Sequence, residues 1–100
     1  MSDKNLKSLR NRIDKIDKDL YKLIQRRASY AVEIGKIKSK ISPSSSFYKP
    51  DRETKILRNI LKANDKGLLP DSKIRSIYKE LISGCLSLEE ILKVAYLGPE

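Results

Sequence analysis

The sequence predicts an all-α fold with three helices per chain, the first of them very long. Apolar residues recur in alternating steps of three and four over most of the 100 residues, the spacing of a helix that buries one face. Two stretches rich in turn-forming residues interrupt this pattern, SPSSSFYKP at 42–50 and GLLPDS at 67–72. No segment before residue 93 requires a strand, so the chain divides into three helices.

The first helix is predicted to begin at Ser2 or Asp3, both good N-caps, and to continue to about Lys40. Its apolar positions, called the seam below, are Leu6, Leu9, Ile13, Ile16, Leu20, Leu23, Tyr30, Ile34, Ile37 and Ile41, with Arg27 replacing an apolar residue. Such a helix is about 55 Å long, whereas a compact domain of this size has a radius of gyration of about 13 Å. One chain cannot cover it, so we expect a partner.

The second helix is predicted to start at Pro50 and Asp51, which suit a first turn, and to end at Gly67. The residues on its apolar face are Ile56, Leu57, Ile60 and Leu61. The connection at 42–50 reads as flexible because it contains two prolines and four serines.

The third helix is predicted to open at Pro70, Asp71 and Ser72. Its expected buried stripe consists of Ile74, Ile77, Tyr78, Leu81, Ile82, Cys85, Leu88, Ile91 and Leu92. The last residues, VAYLGPE at 94–100, indicate a short β-prone run followed by a turn. A single strand has no ladder partner, so we expect this tail to be disordered or merely docked.

The composition narrows the possible functions. Lys and Arg number 22 against 13 Asp and Glu, so the surface attracts anions such as nucleic acid, anionic lipid or an acidic metabolite. With no histidine and one cysteine, a zinc or haem site and a disulfide framework are not expected. No apolar run is long enough to span a bilayer, and the first residues lack the apolar core of a signal peptide. We therefore expect a cytoplasmic protein without a membrane partner.

Four charged residues occupy inward-facing positions of the predicted helices. Arg27 interrupts the seam, and Lys38 follows it by about three turns on nearly the same side. Glu53 precedes the apolar face of helix two, and Glu89 shares a face with Cys85. One such residue is typical of a side chain at the edge of a seam, but four indicate either a polar cavity that holds a ligand or a buried ion-pair network.

Arg10 lies 17 residues before Arg27, about 26 Å along the helix axis, so one small ligand cannot contact both within one helix. If two long helices pack antiparallel about a two-fold axis, Arg10 of one chain approaches the middle of the other. The partner that the helix length requires would then also complete the site.

The sequence resembles the all-helical chorismate mutases in three segments, which keep the order of the family. They are LRNRIDKIDKDLYKLIQRRASYAVEIGKIK from residue 9, PDRE at 50–53 and YKELISGCLSLE at 78–89. VAYLGPE also resembles the start of the prephenate dehydratase domain in bifunctional chorismate mutase/prephenate dehydratases. The resemblance implies a mutase domain at 1–92, and at 93–100 a truncated linker or the start of a dehydratase-like domain.

The resemblance implies an intertwined antiparallel homodimer with two shared active sites and no cofactor or metal. The reaction would be the Claisen rearrangement of chorismate to prephenate, in phenylalanine and tyrosine biosynthesis. Arg10 of the partner and Arg27 would bind the two carboxylates of chorismate, and Lys38 would reach a carboxylate and the ether oxygen. Glu53 would bind the ring hydroxyl, and Arg52 would help to position that region. An arginine in the seam is thereby explained, because a buried dianion needs bidentate donors.

Two positions depart from the best-known members of that family. Glu89 stands where they have a glutamine that faces the ether oxygen, and a carboxyl donates a hydrogen bond only when protonated. Burial would raise its pKa and Lys38 would lower it. Cys85 stands where a serine assists a carboxylate, and its thiol is either a weak donor or a small packing residue.

Two other classes of function compete with an enzyme. A basic helical module that binds nucleic acid would suit the lysine content, but the lysines are spread over all three helices rather than gathered on one face. A purely structural antiparallel coiled-coil dimer would tolerate Arg27→Leu, which would stabilise the fold without loss of function. We therefore expect no nucleic-acid partner.

Overall fold

The computed structural model describes residues 3–41 and 50–97, with side chains described for 3–40 and 51–91. These residues form three helices, α1 (Asp3–Ile41), α2 (Pro50–Ala63) and α3 (Asp71–Leu97). The described ranges contain no strand, so the predicted all-α fold of three helices, with a very long first helix, is confirmed. Most of the predicted connection, residues 42–49, lies outside the described residues.

Two helix ends differ from the prediction. α2 ends at Ala63 rather than at Gly67, because a turn begins at Asn64. The side-chain amide of Asn64 donates to the carbonyl of Leu69 at 3.0 Å and to Oδ1 of Asp71 at 2.8 Å. These bonds tie the end of α2 to the first turn of α3.

The β-prone run predicted at 94–97 is wrong, since α3 continues to Leu97. No proline or glycine interrupts the chain between Glu90 and Leu97, and a helix that is already formed adds residues without a new nucleation cost. Residues 98–100 lie outside the described part of the chain.

Within the described residues, nothing covers the amino-terminal half of α1. Every side chain from residue 3 to residue 26 is exposed, including the seam residues Ile13 at 56% and Ile16 at 61%. The chain measures 64 × 28 × 15 Å, and its radius of gyration of 18.1 Å exceeds the value of about 13 Å for a compact chain of this length. As the helix length predicts, one chain leaves this apolar seam open.

The carboxy-terminal half of α1 packs against α3 through small residues. Ala31, Gly35 and Ser39 follow one another at steps of four and are all buried. Their small size lets the two helices approach closely. Sequence reasoning did not single out Ser39, whose Oγ is buried without a hydrogen-bond partner among the described residues.

The expected buried stripe of α3 is only partly confirmed. Cys85 is buried, whereas Ile77 and Ile91 are exposed at 52% and 63%. On the shorter α2, Leu57 is buried and Ile56, Ile60 and Leu61 are half-buried. α3 packs against both α1 and α2, and these contacts leave Ile77 and Ile91 uncovered. Among the described helices, none combines the length and apolar character needed to cross a membrane.

Candidate active site

A cavity of about 240 Å³ lies among the three helices. Its lining combines charged and apolar side chains: Arg27, Tyr30, Ala31, Ile34, Lys38, Arg52, Glu53, Ile56, Ile82, Cys85, Leu86 and Glu89. The volume is slightly below the range of roughly 300–1,000 Å³ for drug-sized ligands, so it suits a small metabolite.

All four charged residues predicted to face inward line this cavity. Arg27 and Lys38 come from α1, Glu53 from α2 and Glu89 from α3, and each is half-buried. Arg27 and Lys38 share one side of α1 because 11 residues make about three helical turns. Of the two structures that the sequence left open, these residues form the polar cavity, although Lys38 and Glu89 also form an ion pair across it.

Arg52 and Cys85, the other residues of this chain singled out for the site, also line the cavity. Arg52 is exposed at the start of α2, beside Glu53. Cys85 is buried on α3, one turn before Glu89 on the same face. Cys85 is thus a small buried residue that forms part of the cavity wall, and its role as a weak donor stays a prediction.

Arg10 is not among the residues that line the cavity. It lies on the exposed half of α1, about 26 Å along the helix axis from Arg27. Within one chain its guanidinium cannot reach the cavity. Its predicted contribution from a second chain stays a prediction.

Lys38 and Glu89 connect α1 to α3 across the cavity. Nζ of Lys38 lies 3.7 Å from Oε1 of Glu89, which is within reach of an ion pair but too long for a hydrogen bond. Oε1 has no hydrogen-bond partner in the described part of the chain, and the Glu89 side chain is only 13% exposed. This buried oxygen is therefore available to a bound molecule.

Burial raises the pKa of the Glu89 carboxyl above its ordinary value, because desolvation penalises the charged form. The positive charge of Lys38 opposes this effect, and that of Arg27 opposes it less. The neighbouring carboxylate of Glu90 raises the pKa further. Of the two opposing effects that the sequence identified, burial is the larger.

The cavity carries an excess of positive charge. Three cations, Arg27, Lys38 and Arg52, face two carboxyl groups, Glu53 and Glu89, which leaves an excess of one when both are ionised. Protonation of Glu89, which its raised pKa favours, increases the excess to two. Such a cavity attracts a small anion with one or two negative charges.

The apolar part of the cavity wall was not predicted as part of the site. Tyr30 and Ile34 belong to the seam, and Ala31 and Leu86 lie outside both the seam and the expected stripe of α3. Helical spacing contains the signal, because Ala31 follows Arg27 by one turn and Leu86 follows Ile82 by one turn. Among the described residues, no three cysteine, aspartate or glutamate side chains group in a way that could hold a metal ion.

Comparison with known proteins relates this geometry to a family. Residues 9–90 match the family model described as chorismate mutase type II. The chain is 45% identical over 98 residues to a bifunctional chorismate mutase/prephenate dehydratase of Aquifex aeolicus, and 42% identical over 98 residues to one of Pseudomonas aeruginosa. These alignments cover 95% of this chain but only 26% and 27% of the two relatives, so the chain spans about a quarter of their length.

A solved structure supports the same assignment. The chain superposes on a chorismate mutase from Thermus thermophilus with a TM-score of 0.75 and 30% sequence identity. The superposition covers 86% of this chain and 94% of the other. The three helices that form the cavity therefore recur in a protein of that name, and the chain belongs to the chorismate mutase type II family.

Proposed function

We propose that the chain is a chorismate mutase, which converts chorismate to prephenate by a Claisen rearrangement. The observation that carries this proposal is the convergence of Arg27, Lys38 and Glu89, with Arg52 and Glu53, on one cavity in a chain of this family. One C–O bond breaks while one C–C bond forms within a single molecule. The reaction needs neither a nucleophile nor a cofactor, and it takes place in the cytoplasm.

The residues act by holding the substrate in its folded, reactive conformation. Arg27 binds one carboxylate of the dianion, and its planar guanidinium offers two parallel donors to the two oxygens. Glu53 accepts a hydrogen bond from the ring hydroxyl, and the adjacent Arg52 orients that end of the substrate. Restriction of the geometry in this way contributes several kcal/mol to a rearrangement of this kind.

Lys38 and Glu89 stabilise the negative charge that develops on the ether oxygen in the transition state. The ammonium of Lys38 donates directly, and Glu89 donates when its carboxyl is protonated. Their separation of 3.7 Å places both groups around one position between α1 and α3. A preorganised donor of this type contributes roughly 3 kcal/mol to the transition state. The Cys85 thiol packs beside them and is a weak donor.

A second copy of the chain completes the site. The exposed seam on the amino-terminal half of α1 needs a cover, and a second α1 packed antiparallel supplies one of matching shape. Arg10 of that copy then reaches the cavity and binds the second carboxylate. The functional unit is a homodimer with two equivalent sites.

The decisive measurement is the decay of the ultraviolet absorbance of chorismate in the presence of the purified protein. Arg27→Leu should abolish turnover while it leaves the fold intact or more stable, whereas Arg75→Ala, an exposed arginine outside the cavity, should retain full turnover. Full activity of Arg27→Leu would instead favour a purely structural dimer.

Subunit sharing is tested by mixing two inactive variants. In an equal mixture of Arg10→Ala and Arg27→Ala chains, half of the dimers are mixed, and each mixed dimer has one intact site. The mixture should therefore regain about a quarter of wild-type activity. No recovery in mixed dimers would contradict the sharing of Arg10. Binding to nucleic acid that weakens steeply with salt, without chorismate turnover, would favour the competing function.

A further inference from the structure

The charged residues beside the seam of α1 form a row whose sign alternates along the helix. In a heptad description, the seam places Leu6, Ile13, Leu20, Arg27 and Ile34 at position a and Leu9, Ile16, Leu23, Tyr30 and Ile37 at position d. Position g, next to the seam, is then occupied by Asn5, Arg12, Asp19, Arg26, Glu33 and Lys40. We call this set the g row. Its basic and acidic residues alternate, so each basic residue can face an acidic residue of a second copy that runs in the opposite direction.

The g row is accessible in the single chain. All of its members are exposed, while α3 of the same chain covers the opposite flank of α1, where Ala31 and Gly35 are buried. Glu33 does contact Lys36 of its own helix at 3.6 Å, but both side chains are more than half exposed. An exposed pair of this kind is weak, so the Glu33 carboxylate can turn to a stronger partner.

We infer that the g row fixes the register of the homodimer: Arg12 pairs with Glu33 of a second copy and Asp19 pairs with Arg26, which brings Arg10 to the cavity of that copy. This inference rests on the antiparallel homodimer proposed above. Each pair occurs twice because the two copies are related by a two-fold axis, so four ion pairs flank the seam.

Two antiparallel copies of α1 can pack in several registers. Each seam layer joins a position a of one helix to a position d of the other, and g residues face g residues. The layer that contains Leu20 can therefore hold Leu23, Ile16 or Tyr30 of the second copy, which are successive shifts of one heptad.

Of these three registers, only the one that joins Leu20 to Leu23 opposes unlike charges. It sets Arg12 against Glu33 and Asp19 against Arg26. Because like charges that face each other cost energy and unlike charges set orientation, the g row selects this register over its two neighbours. A shift of two heptads opposes unlike charges again, but it shortens the overlap of the two helices, so fewer seam layers form.

Both neighbouring registers oppose like charges. If Leu20 packs against Ile16 of the second copy, Arg12 faces Arg26 of that copy, and the two Asp19 residues face each other. If Leu20 packs against Tyr30 of the second copy, Asp19 faces Glu33 of that copy, and the two Arg26 residues face each other. Repulsion at these positions excludes both shifts.

The selected register also explains how the site is completed. On the other flank of the seam it places Arg10 opposite Ala31 of the second copy, and Ala31 lines the cavity. In the register that joins Leu20 to Ile16, Arg10 would instead lie opposite Ile24, about two turns away from Ala31. The g row does not line the cavity, but it determines where the Arg10 guanidinium lies because it sets the register.

Charge reversal tests the register directly. In the Arg12→Glu variant, the new glutamate faces Glu33 of the second copy, and this repulsive pair occurs twice. In the Glu33→Arg variant, the new arginine faces Arg12 of the second copy, again twice. Each variant alone should weaken the dimer at least about tenfold in Kd, measured by sedimentation at low salt, and the double variant should return to within about threefold of wild type. Lys18→Glu, with the same change in charge on the outer face of α1, should leave Kd unchanged.

Mixing the two reversed chains gives a sharper readout. A dimer of one Arg12→Glu chain and one Glu33→Arg chain has opposite charges at both places, so native mass spectrometry should show mixed dimers well above the statistical half. Glu33→Gln serves as a control that removes the charge without reversing it, and when it is mixed with Arg12→Glu it should show a smaller preference, because only one unlike pair forms in the mixed dimer.

The outcomes separate this inference from the proposed function. A statistical half of mixed dimers together with unchanged Kd values would overturn the register while leaving the mutase and its dimer intact. A wild-type chain that is monomeric and active would overturn the register and the shared site together. The predicted pairing without any turnover of chorismate would support the register and contradict the enzyme.

Discussion

Nζ of Lys38 and Oε1 of Glu89 lie 3.7 Å apart on facing helices, yet Oε1 has no hydrogen-bond partner in the described part of the chain. Burial raises the pKa of Glu89 despite the positive charge of Lys38. The pair is therefore an ion pair without a hydrogen bond, and burial makes the protonated form of its carboxyl more favourable than it is in water.

The first prediction is that turnover depends on the protonated form of Glu89. As pH rises through the raised pKa of Glu89, the carboxyl loses its proton and can no longer donate. kcat/KM should then fall about tenfold for each further pH unit. Glu89→Gln always offers a donor, so its pH profile should be flat over the same range. A profile that Glu89→Gln leaves unchanged would contradict the role of this proton.

The same pKa shift predicts the sign of a stability change. The pKa of Glu89 is higher in the folded chain than in the unfolded chain, so ionisation opposes folding. Stability should fall as pH rises from the ordinary glutamate range through the raised pKa. Urea unfolding midpoints should show this decline in the wild type and a smaller decline in Glu89→Gln.

The second prediction uses Cys85, the one cysteine of the sequence, as a reporter of the cavity. Alkylation of this buried thiol adds bulk to a cavity of about 240 Å³ and should abolish turnover. Prephenate at ten times its Kd leaves about a tenth of the sites open, so it should slow alkylation about tenfold. Cys85→Ala should keep activity under the same treatment. Alkylation at an undiminished rate would mean that the product binds elsewhere.

The third prediction concerns Asn64, which joins α2 to α3. Its amide donates to Leu69 and to Asp71, so Asn64→Ala should lower the free energy of unfolding by about 1–2 kcal/mol. Asn64→Asp should lower it more at neutral pH, since a carboxylate cannot donate and repels Asp71. Equal stability of the two variants at neutral pH would rule out the bond to Asp71.

The same turn makes Gly67 sensitive to substitution. Its N–H donates to the carbonyl of Asn64 at 3.0 Å, and an added Cβ would overlap the Asn64 side-chain oxygen. Gly67→Ala should therefore destabilise the chain in the same urea assay, and much less in an Asn64→Ala background. An equal loss in both backgrounds would show that the clash lies elsewhere.

The fourth prediction concerns the buried hydroxyl of Ser39. Its Oγ has no hydrogen-bond partner among the described residues, and burial of such a group costs free energy. Ser39→Ala keeps the small side chain between α1 and α3 and removes the hydroxyl, so the free energy of unfolding should rise by about 1 kcal/mol. A loss of stability would show instead that the hydroxyl bonds to a group outside the described residues.

Local sequence patterns determined the helices and which charged residues face the cavity. The period of the seam sets the length of α1, and helical spacing places Arg27 and Lys38 on one side of it. The prediction from local patterns was wrong at 94–97, because β propensity was considered there and the continuation of the preceding helix was not. It also overstated the burial of Ile77 and Ile91, because periodicity shows which residues share a face but not whether another helix covers that face.

Tertiary structure decided which groups meet. Residues as distant in sequence as Lys38 and Glu89 become neighbours only when α3 packs on α1, and the energy of that contact depends on burial, which no local pattern contains. The direction of the Glu89 pKa shift is the clearest case, since it is a balance between desolvation and the charge of Lys38. Sequence fixes the residues that a helix presents, because its geometry repeats every few residues, whereas distances between helices arise only from packing.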